Sequence, residues 1–122
     1  MNWNLDPNRP VFIQIIEQIM DEIFSGTFGP GSQIPSVREL ALDAEVNPNT
    51  MQRALTELER TGIIYTKRAS GRFVTEDVEL IKSLKQARAN DIINSFLEDM
   101  KKLGINRHEL IDILLKEAEE NE

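Results

Sequence analysis

The side chains best suited to recognising another molecule lie in a short stretch near the middle of the chain. Asn49, Gln52 and Arg53 occupy the polar side of a predicted helix whose apolar residues recur at helical spacing. Amide side chains pair with adenine and guanidinium groups pair with guanine in the major groove of DNA. The pattern is therefore typical of a helix that contacts bases, and a merely solvated polar face is the alternative.

A second group of candidate residues is basic and follows this helix. Lys67, Arg68 and Arg72 surround Gly71, between two short runs of β-branched and aromatic residues that predict a β-hairpin. Three cations on one hairpin can contact phosphates or enter a minor groove. The alternative is an edge hairpin whose charges prevent aggregation. Arg38, further upstream, is a fourth candidate cation, and a surface ion pair is its alternative.

Local signals place two helices before the polar one. Apolar residues at spacings of three and four after Pro10 predict a first helix that ends near Gly26. Ser36 and Glu39 form a capping-box pattern at the start of a short second helix.

The polar helix itself has clear start and stop signals. Asn47 is a favoured N-cap, Pro48 suits the first helical position, and Gly62 ends the helix. Two helices joined by a short turn form a helix-turn-helix, and a hairpin directly after it is a wing. The sequence therefore predicts a winged helix-turn-helix over residues 1–75.

The remaining residues, 76–122, predict two amphipathic helices separated by Gly104, the second one capped by Asn106 with Glu109. Two such helices bury little apolar surface alone, so we expect a second copy of the chain to cover them. Folding back onto the first helix is the alternative. The residues predicted to form the dimer interface are Leu84, Ile92, Ile93, Phe96, Leu97, Met100, Leu110, Ile113 and Leu114. The fold class is thus mainly α with a small β-hairpin, with a winged helix-turn-helix followed by a two-helix dimerisation segment.

Composition excludes several classes of protein. The chain has 122 residues, 40% of them hydrophobic, and a net charge of −7, so it does not coat nucleic acid by bulk charge. Only the stretch 33–75 has a positive balance, with six basic and five acidic residues. Cysteine is absent, which excludes disulfides and thiolate metal sites. We expect no catalytic site, no cofactor, no metal, no membrane span and no signal peptide, and hence a non-enzymatic cytoplasmic protein.

Several stretches resemble the winged helix-turn-helix of the GntR family of bacterial transcriptional regulators. They are Gly31–Ala41, Val46–Leu55, Leu58–Ile64 and Gly71–Val74. The family often has arginine where this chain has Pro48 and Gln52. The resemblance implies DNA contacts by Arg38, the start of the third helix and the wing. The candidate DNA-binding residues are Ser36, Arg38, Asn47, Pro48, Asn49, Thr50, Gln52, Arg53, Lys67, Arg68, Ser70, Gly71 and Arg72.

The stretch Asn47–Arg53 and the short helical tail are similar to the YtrA-like subfamily, which implies a repressor often encoded with ABC transporters. The leading hypothesis is a homodimeric repressor that reads a near-palindromic operator, with half-sites about 10 bp apart or a multiple of that. An unidentified small-molecule effector would bind at the dimer interface or between the domains. The alternative function is a winged-helix protein-interaction module without DNA binding. The acidic net charge favours that alternative, and the basic wing argues against it.

Overall fold

The structure, a computed structural model, describes residues 1–121, which form five helices and one β-hairpin. The elements are α1 (Val11–Phe24), α2 (Val37–Ala44), α3 (Pro48–Thr61), β1 (Ile64–Lys67), β2 (Gly71–Val74), α4 (Val78–Lys102) and α5 (Arg107–Glu120). The predicted class, mainly α with a small β-hairpin, is confirmed. The chain divides into two compact units, one comprising Met1–Leu84 and the other beginning at Lys85.

The helix boundaries of the first unit follow the capping signals of the sequence. The Ser36 hydroxyl accepts a hydrogen bond from the Glu39 amide at 3.1 Å, and the Glu39 carboxylate accepts one from the Ser36 amide at 3.4 Å. At the start of α3, the Asn47 side chain accepts from the Asn49 amide at 2.7 Å. These bonds satisfy amides that have no partner within the helix, so the predicted caps are confirmed.

The core of the first unit lies between α1, α2 and α3, and both α1 and α2 pack against α3. One stripe of α3 is fully enclosed, which leaves its opposite stripe facing solvent. The buried apolar residues of this core are Ile15, Ile19, Ile23, Ile34, Leu40, Ala41, Ala44, Met51, Ala54, Leu55, Leu58, Ile63, Ile64 and Val74. The exposed stripe of α3 is thus fixed in orientation by the packing behind it.

The hairpin is anchored to this core at its base. β1 and β2 pair in antiparallel register, with Ile64 opposite Val74, and both side chains are buried. The segment before α2 adds a short third pairing, since the Ile34 amide donates to the Arg72 carbonyl at 3.0 Å and the Val74 amide donates to the Ser32 carbonyl at 2.9 Å. The hairpin is therefore held on both sides at its base, while its tip projects.

Helix α4 begins in the first unit, where Ile81 and Leu84 pack against the core. The second unit comprises the rest of α4 and α5, and among its described residues Leu110 is the buried apolar side chain. Asn106 caps α5 by accepting from the Glu109 amide at 2.9 Å, as predicted. None of the helices within residues 1–121 combines the length and the hydrophobicity needed to cross a bilayer.

Candidate nucleic-acid interface

The outward stripe of α3 carries the predicted base-reading groups. Asn49, Gln52 and Arg53 are exposed and Thr50 is half-buried, because the intervening residues of the helix face the core. Asn47 and Pro48 are also exposed, at the start of the helix. The first turns of α3 thus present amide, hydroxyl and guanidinium groups together, a set able to form hydrogen bonds with base edges.

Arg53 has a partner that the sequence did not indicate. Its guanidinium carbon lies 4.2 Å from the centroid of the Phe12 ring, at the start of α1. Phe12 is half-buried against the core, so the ring is a fixed platform for the guanidinium. A cation–π contact of this kind restricts the conformations of the arginine side chain. The direction of Arg53 is therefore set by a residue of a different helix.

The tip of the hairpin, which we call the wing tip, comprises residues 67–71. Lys67, Arg68 and Ser70 are exposed there, and Gly71 has a φ of +120°. The Gln33 side chain donates a hydrogen bond to the Ser70 carbonyl at 2.6 Å, on the side where a Cβ at Gly71 would lie. Two cations are thus displayed on a turn whose backbone is held by a neighbouring side chain.

The two faces of the hairpin have different roles. On the outer face, the rings of Tyr65 and Phe73 stack at 5.9 Å, and the Lys67 amino group lies 5.6 Å from the Phe73 centroid. On the inner face, Thr66 lies opposite Arg72, and both turn towards α3. The alternation of side chains along each strand accounts for this division.

Glu59, near the end of α3, bonds to both strands of the hairpin. Its Oε1 accepts hydrogen bonds from the Arg72 Nε at 2.6 Å and from the Thr66 hydroxyl at 2.7 Å. Burial alone would raise the pKa of Glu59, but the hydrogen bonds from Thr66 and Arg72, with the Arg72 charge, lower the pKa below its ordinary value. Arg72, predicted as a DNA contact, is 19% exposed and forms an ion pair within the protein.

An open cleft of about 750 Å³ lies between the start of α2 and the wing tip. Its lining residues include the polar side chains of Gln33, Ser36, Arg38, Glu39, Ser70 and Arg72, together with Gly71. Five of the predicted DNA-binding residues therefore meet around one cleft. The start of α2 and the guanidinium of Arg38 give the cleft groups that attract a phosphate. Asn49, Gln52 and Arg53 lie outside its lining.

The predicted dimer residues fall into two groups. Six of them are 38–54% exposed on α4 and α5 and are Ile92, Ile93, Phe96, Leu97, Ile113 and Leu114. The other three are at least partly buried within the chain. Leu84 packs against the core of the first unit, Met100 is half-buried and Leu110 is 7% exposed. Ile111 and Leu115, which were not predicted as interface residues, add to the exposed apolar surface of α5.

Sequence reasoning missed Phe12, Gln33 and Glu59 as residues that position the site. For Glu59 a signal was present, since strand alternation places Arg72 on the same face as the buried Val74. That face has to meet α3, where a carboxylate is the natural partner of an arginine. No comparable local signal connects Phe12 with Arg53.

A helix-turn-helix with exposed amide and guanidinium groups, followed by a basic hairpin, defines a winged-helix DNA-binding protein. Residues 13–74 match the profile of the family described as "Bacterial regulatory proteins, gntR family". The chain is 36% identical to YhcF, an uncharacterised HTH-type transcriptional regulator of Bacillus subtilis, over 92% of this chain and 93% of YhcF. It is 37% identical to the HTH-type transcriptional repressor YtrA of B. subtilis, over 85% of this chain and 77% of YtrA.

Solved structures agree with this assignment. A GntR family transcriptional regulator from Listeria monocytogenes superposes with a TM-score of 0.87 at 44% identity, covering 92% of this chain and 98% of that chain. The DNA-binding domain of AraR, solved in complex with operator ORX1, gives a TM-score of 0.55 at 27% identity, covering 60% of this chain and 93% of that chain. This chain belongs to the gntR family and is a DNA-binding transcriptional regulator of the YtrA-like type.

Proposed function

We propose that this regulator is a repressor that binds a near-palindromic operator as a homodimer and reads each half-site with the exposed stripe of α3. The observation that carries the proposal is that the chain has both features: the exposed polar stripe of α3 in the first unit, and an exposed apolar surface in the second unit. The repressor role is supported by the similarity to YtrA, which is named as a repressor.

The apolar surface of the second unit supports a dimer. Eight large apolar side chains on α4 and α5 of this unit are 38–60% exposed, whereas Leu110 is the buried apolar residue among those described in this unit. Because each of these side chains is already about half-buried, covering the rest of one contributes about 1 kcal/mol, roughly half the value of full burial. A second copy offers the same surface around a two-fold axis. A two-fold protein matches a two-fold DNA site, which is why the operator should be nearly palindromic.

Each half-site is expected to meet three groups of side chains. Asn49 and Gln52 would pair with adenine edges and Arg53 with guanine, in the major groove. Lys67 and Arg68 at the wing tip would contact phosphates or enter the adjacent minor groove. The cleft beside Arg38 would hold a phosphate between α2 and the wing. Neutralised phosphates release counterions, so the affinity should fall steeply with salt.

The second unit is also where we place a small-molecule effector site. An open groove of about 380 Å³ runs along α4 and combines charged and apolar groups. Its lining residues are Arg88, Asp91, Ile92, Ser95, Phe96 and Asp99. An effector bound there would alter the surface that pairs with the second copy.

The regulated genes and the location of the protein are further parts of the proposal. The similarity to the YtrA-like type supports regulation of an operon that encodes an ABC transporter. We place the protein in the cytoplasm.

The test is a selection of genomic fragments with the purified chain, followed by footprinting of the best fragment. The wild-type chain should enrich a fragment with a two-fold protected site, and sedimentation should give twice the monomer mass. A variant with Arg53→Ala and Arg68→Ala should enrich nothing. Arg60→Ala is the matched control, since Arg60 is an exposed arginine of α3 that pairs with Glu57.

The same experiment distinguishes the second candidate function, a protein-interaction module without DNA binding. The net charge of −7 favours this candidate, because an acidic surface repels DNA. A wild-type chain that enriches no fragment above the level of the Arg53→Ala, Arg68→Ala variant would favour the interaction module. Enrichment by the wild type and Arg60→Ala alone would support the operator-binding repressor.

A further inference from the structure

We propose that Glu59 is a positioning residue for DNA binding: its carboxylate ties the hairpin to α3 and thereby fixes where Lys67 and Arg68 meet the DNA. The inference rests on the proposed operator binding. It identifies Glu59 as the residue that aligns the two elements expected to contact the operator, α3 and the hairpin. Glu59 acts through these elements and does not itself contact the DNA.

The geometry shows a single carboxylate oxygen that connects three elements. Oε1 of Glu59, on α3, accepts from Thr66 on β1 at 2.7 Å and from Arg72 on β2 at 2.6 Å. Thr66 and Arg72 lie opposite each other in the hairpin register. The next pair along the hairpin is Lys67 with Gly71, where the wing tip begins. The bridge is therefore the last link to α3 before the residues that would touch DNA.

Other contacts hold the hairpin at different levels. Ile64 and Val74 anchor its base in the core, and the Gln33 side chain holds the Ser70 carbonyl at 2.6 Å from the side of α2. The two hydrogen bonds of Glu59 connect α3 with both strands of the hairpin, above this base and below the tip. Glu59 thus governs the spacing between the helix that reads bases and the wing that contacts the backbone.

Charge alone and positioning predict opposite results when Glu59 is neutralised. Removing a carboxylate from a DNA-binding surface raises the local positive potential, so charge alone predicts tighter binding. Loss of the bridge releases the wing tip, so positioning predicts weaker binding to the operator. The non-specific affinity, which depends on phosphates only, should not fall in either case.

The experiment compares Glu59→Gln with Glu57→Gln in the full-length chain. Both changes remove one carboxylate from α3, but Glu57 pairs with Arg60 on the same helix and not with the hairpin. Affinities are measured at one salt concentration for the selected operator and for random DNA of equal length. We expect Glu59→Gln to weaken operator binding about tenfold, the lower limit for the loss of one hydrogen bond to a charged group. Glu57→Gln should leave it unchanged or tighter.

Three further measurements distinguish positioning from loss of folding. Hydroxyl-radical footprints of Glu59→Gln should lose protection at the outer, wing-contacted positions while keeping it at the bases read by α3. Arg72→Gln should lose the same wing protection, although the loss of its positive charge also weakens binding to random DNA. The ratio of operator affinity to random-DNA affinity should be no lower in the double variant than in either single variant, because one bridge is broken in all three. Urea unfolding of each variant checks that the first unit is folded.

The outcomes separate this inference from the function on which it rests. Equal operator affinities for Glu59→Gln and Glu57→Gln, or tighter binding by Glu59→Gln, would overturn the positioning role while operator binding stands. Additive losses in the double variant would also overturn it. A wild-type chain that selects no DNA would overturn both proposals.

Discussion

The most direct test of the wing geometry is the substitution Gly71→Ala. Gly71 has a φ of +120°, a region that residues with a side chain rarely adopt. A Cβ added there would lie 2.7 Å from the Gln33 Nε2, which is too close for unbonded atoms. The same nitrogen donates to the Ser70 carbonyl at 2.6 Å, so the Gln33 side chain cannot move away without giving up that bond.

The expected cost has two parts. Holding alanine in a sparsely populated backbone region costs about 1–3 kcal/mol. Losing the hydrogen bond from Gln33 to Ser70 adds about 0.5–1.5 kcal/mol, towards the lower end because Gln33 is exposed. Gly71→Ala should therefore lower the free energy of unfolding by about 1.5–4 kcal/mol.

The assay is urea unfolding followed by circular dichroism, with Gly29→Ala as the matched control. A Cβ added at Gly29 would meet no atom within 4 Å, and this residue has no positive φ, so its replacement should change the free energy of unfolding by less than about 1 kcal/mol. A Gln33→Ala background separates the two parts of the cost, since it removes the close contact but not the backbone strain. In the Gln33→Ala background, Gly71→Ala should lower the free energy of unfolding by a smaller amount, and the difference should equal the contribution of the hydrogen bond from Gln33 to Ser70.

A loss below about 0.5 kcal/mol for Gly71→Ala would refute the role of backbone strain, because even the smallest backbone cost exceeds it. An equal loss in Gly29→Ala would show that the assay reports on the loss of any glycine. An unchanged penalty in the Gln33→Ala background would refute the role of the close contact and leave the strain.

Three further predictions concern the cap, the arginine platform and acid stability. Ser36→Ala should lower the free energy of unfolding by about 1 kcal/mol, the usual value of an N-cap, as measured in urea. Phe12→Leu should weaken operator binding about 2–5-fold, since Arg53 loses its aromatic platform, whereas Phe12→Tyr should not. Because the pKa of Glu59 is lowered in the folded state, its ionised carboxylate stabilises the fold at pH values above 4.5, the ordinary pKa of the group. The free energy of unfolding should therefore fall as the pH drops below 4.5.

Each of these has its own contrary result. A Ser36→Thr variant that unfolds as easily as Ser36→Ala would contradict the capping role. Equal operator affinities for Phe12→Leu and Phe12→Tyr would show that the aromatic contact does not support Arg53. Asp43, whose pKa is lowered mainly by the hydrogen bond from Trp3, contributes with the same sign in acid. Glu59→Gln should thus reduce the acid-induced loss of stability without abolishing it, and an unaltered pH profile would contradict the bridge.

The elements could be predicted from the sequence because their signals are local. A capping box spans the four residues Ser36 to Glu39. Two adjacent residues, Asn47 and Pro48, mark the start of α3. Such bonds form between neighbours whatever the tertiary packing is, so a pattern of residue types is sufficient. The exposed stripe of α3 followed in turn from the spacing of its apolar residues.

The contacts that orient the site could not be predicted in this way. Arg72 lies 13 residues from Glu59, and Phe12 is further still from Arg53. Whether such pairs meet depends on how the hairpin and α1 pack on α3, which no local pattern encodes. The same holds for apolar residues of α4, since Leu84 packs on the core whereas Ile92 is 54% exposed. Both have the same helical pattern, and only the fold tells them apart.

The two-faced hairpin also limits how its length can change during evolution. Side chains alternate along each strand, so one residue inserted between Arg72 and Val74 would turn Arg72 to the outer face, away from Glu59. An insertion within the turn 68–70 would alter the reach of the wing and leave both faces intact. Insertions and deletions should therefore accumulate at the tip of the wing, while its stem keeps a fixed number of residues.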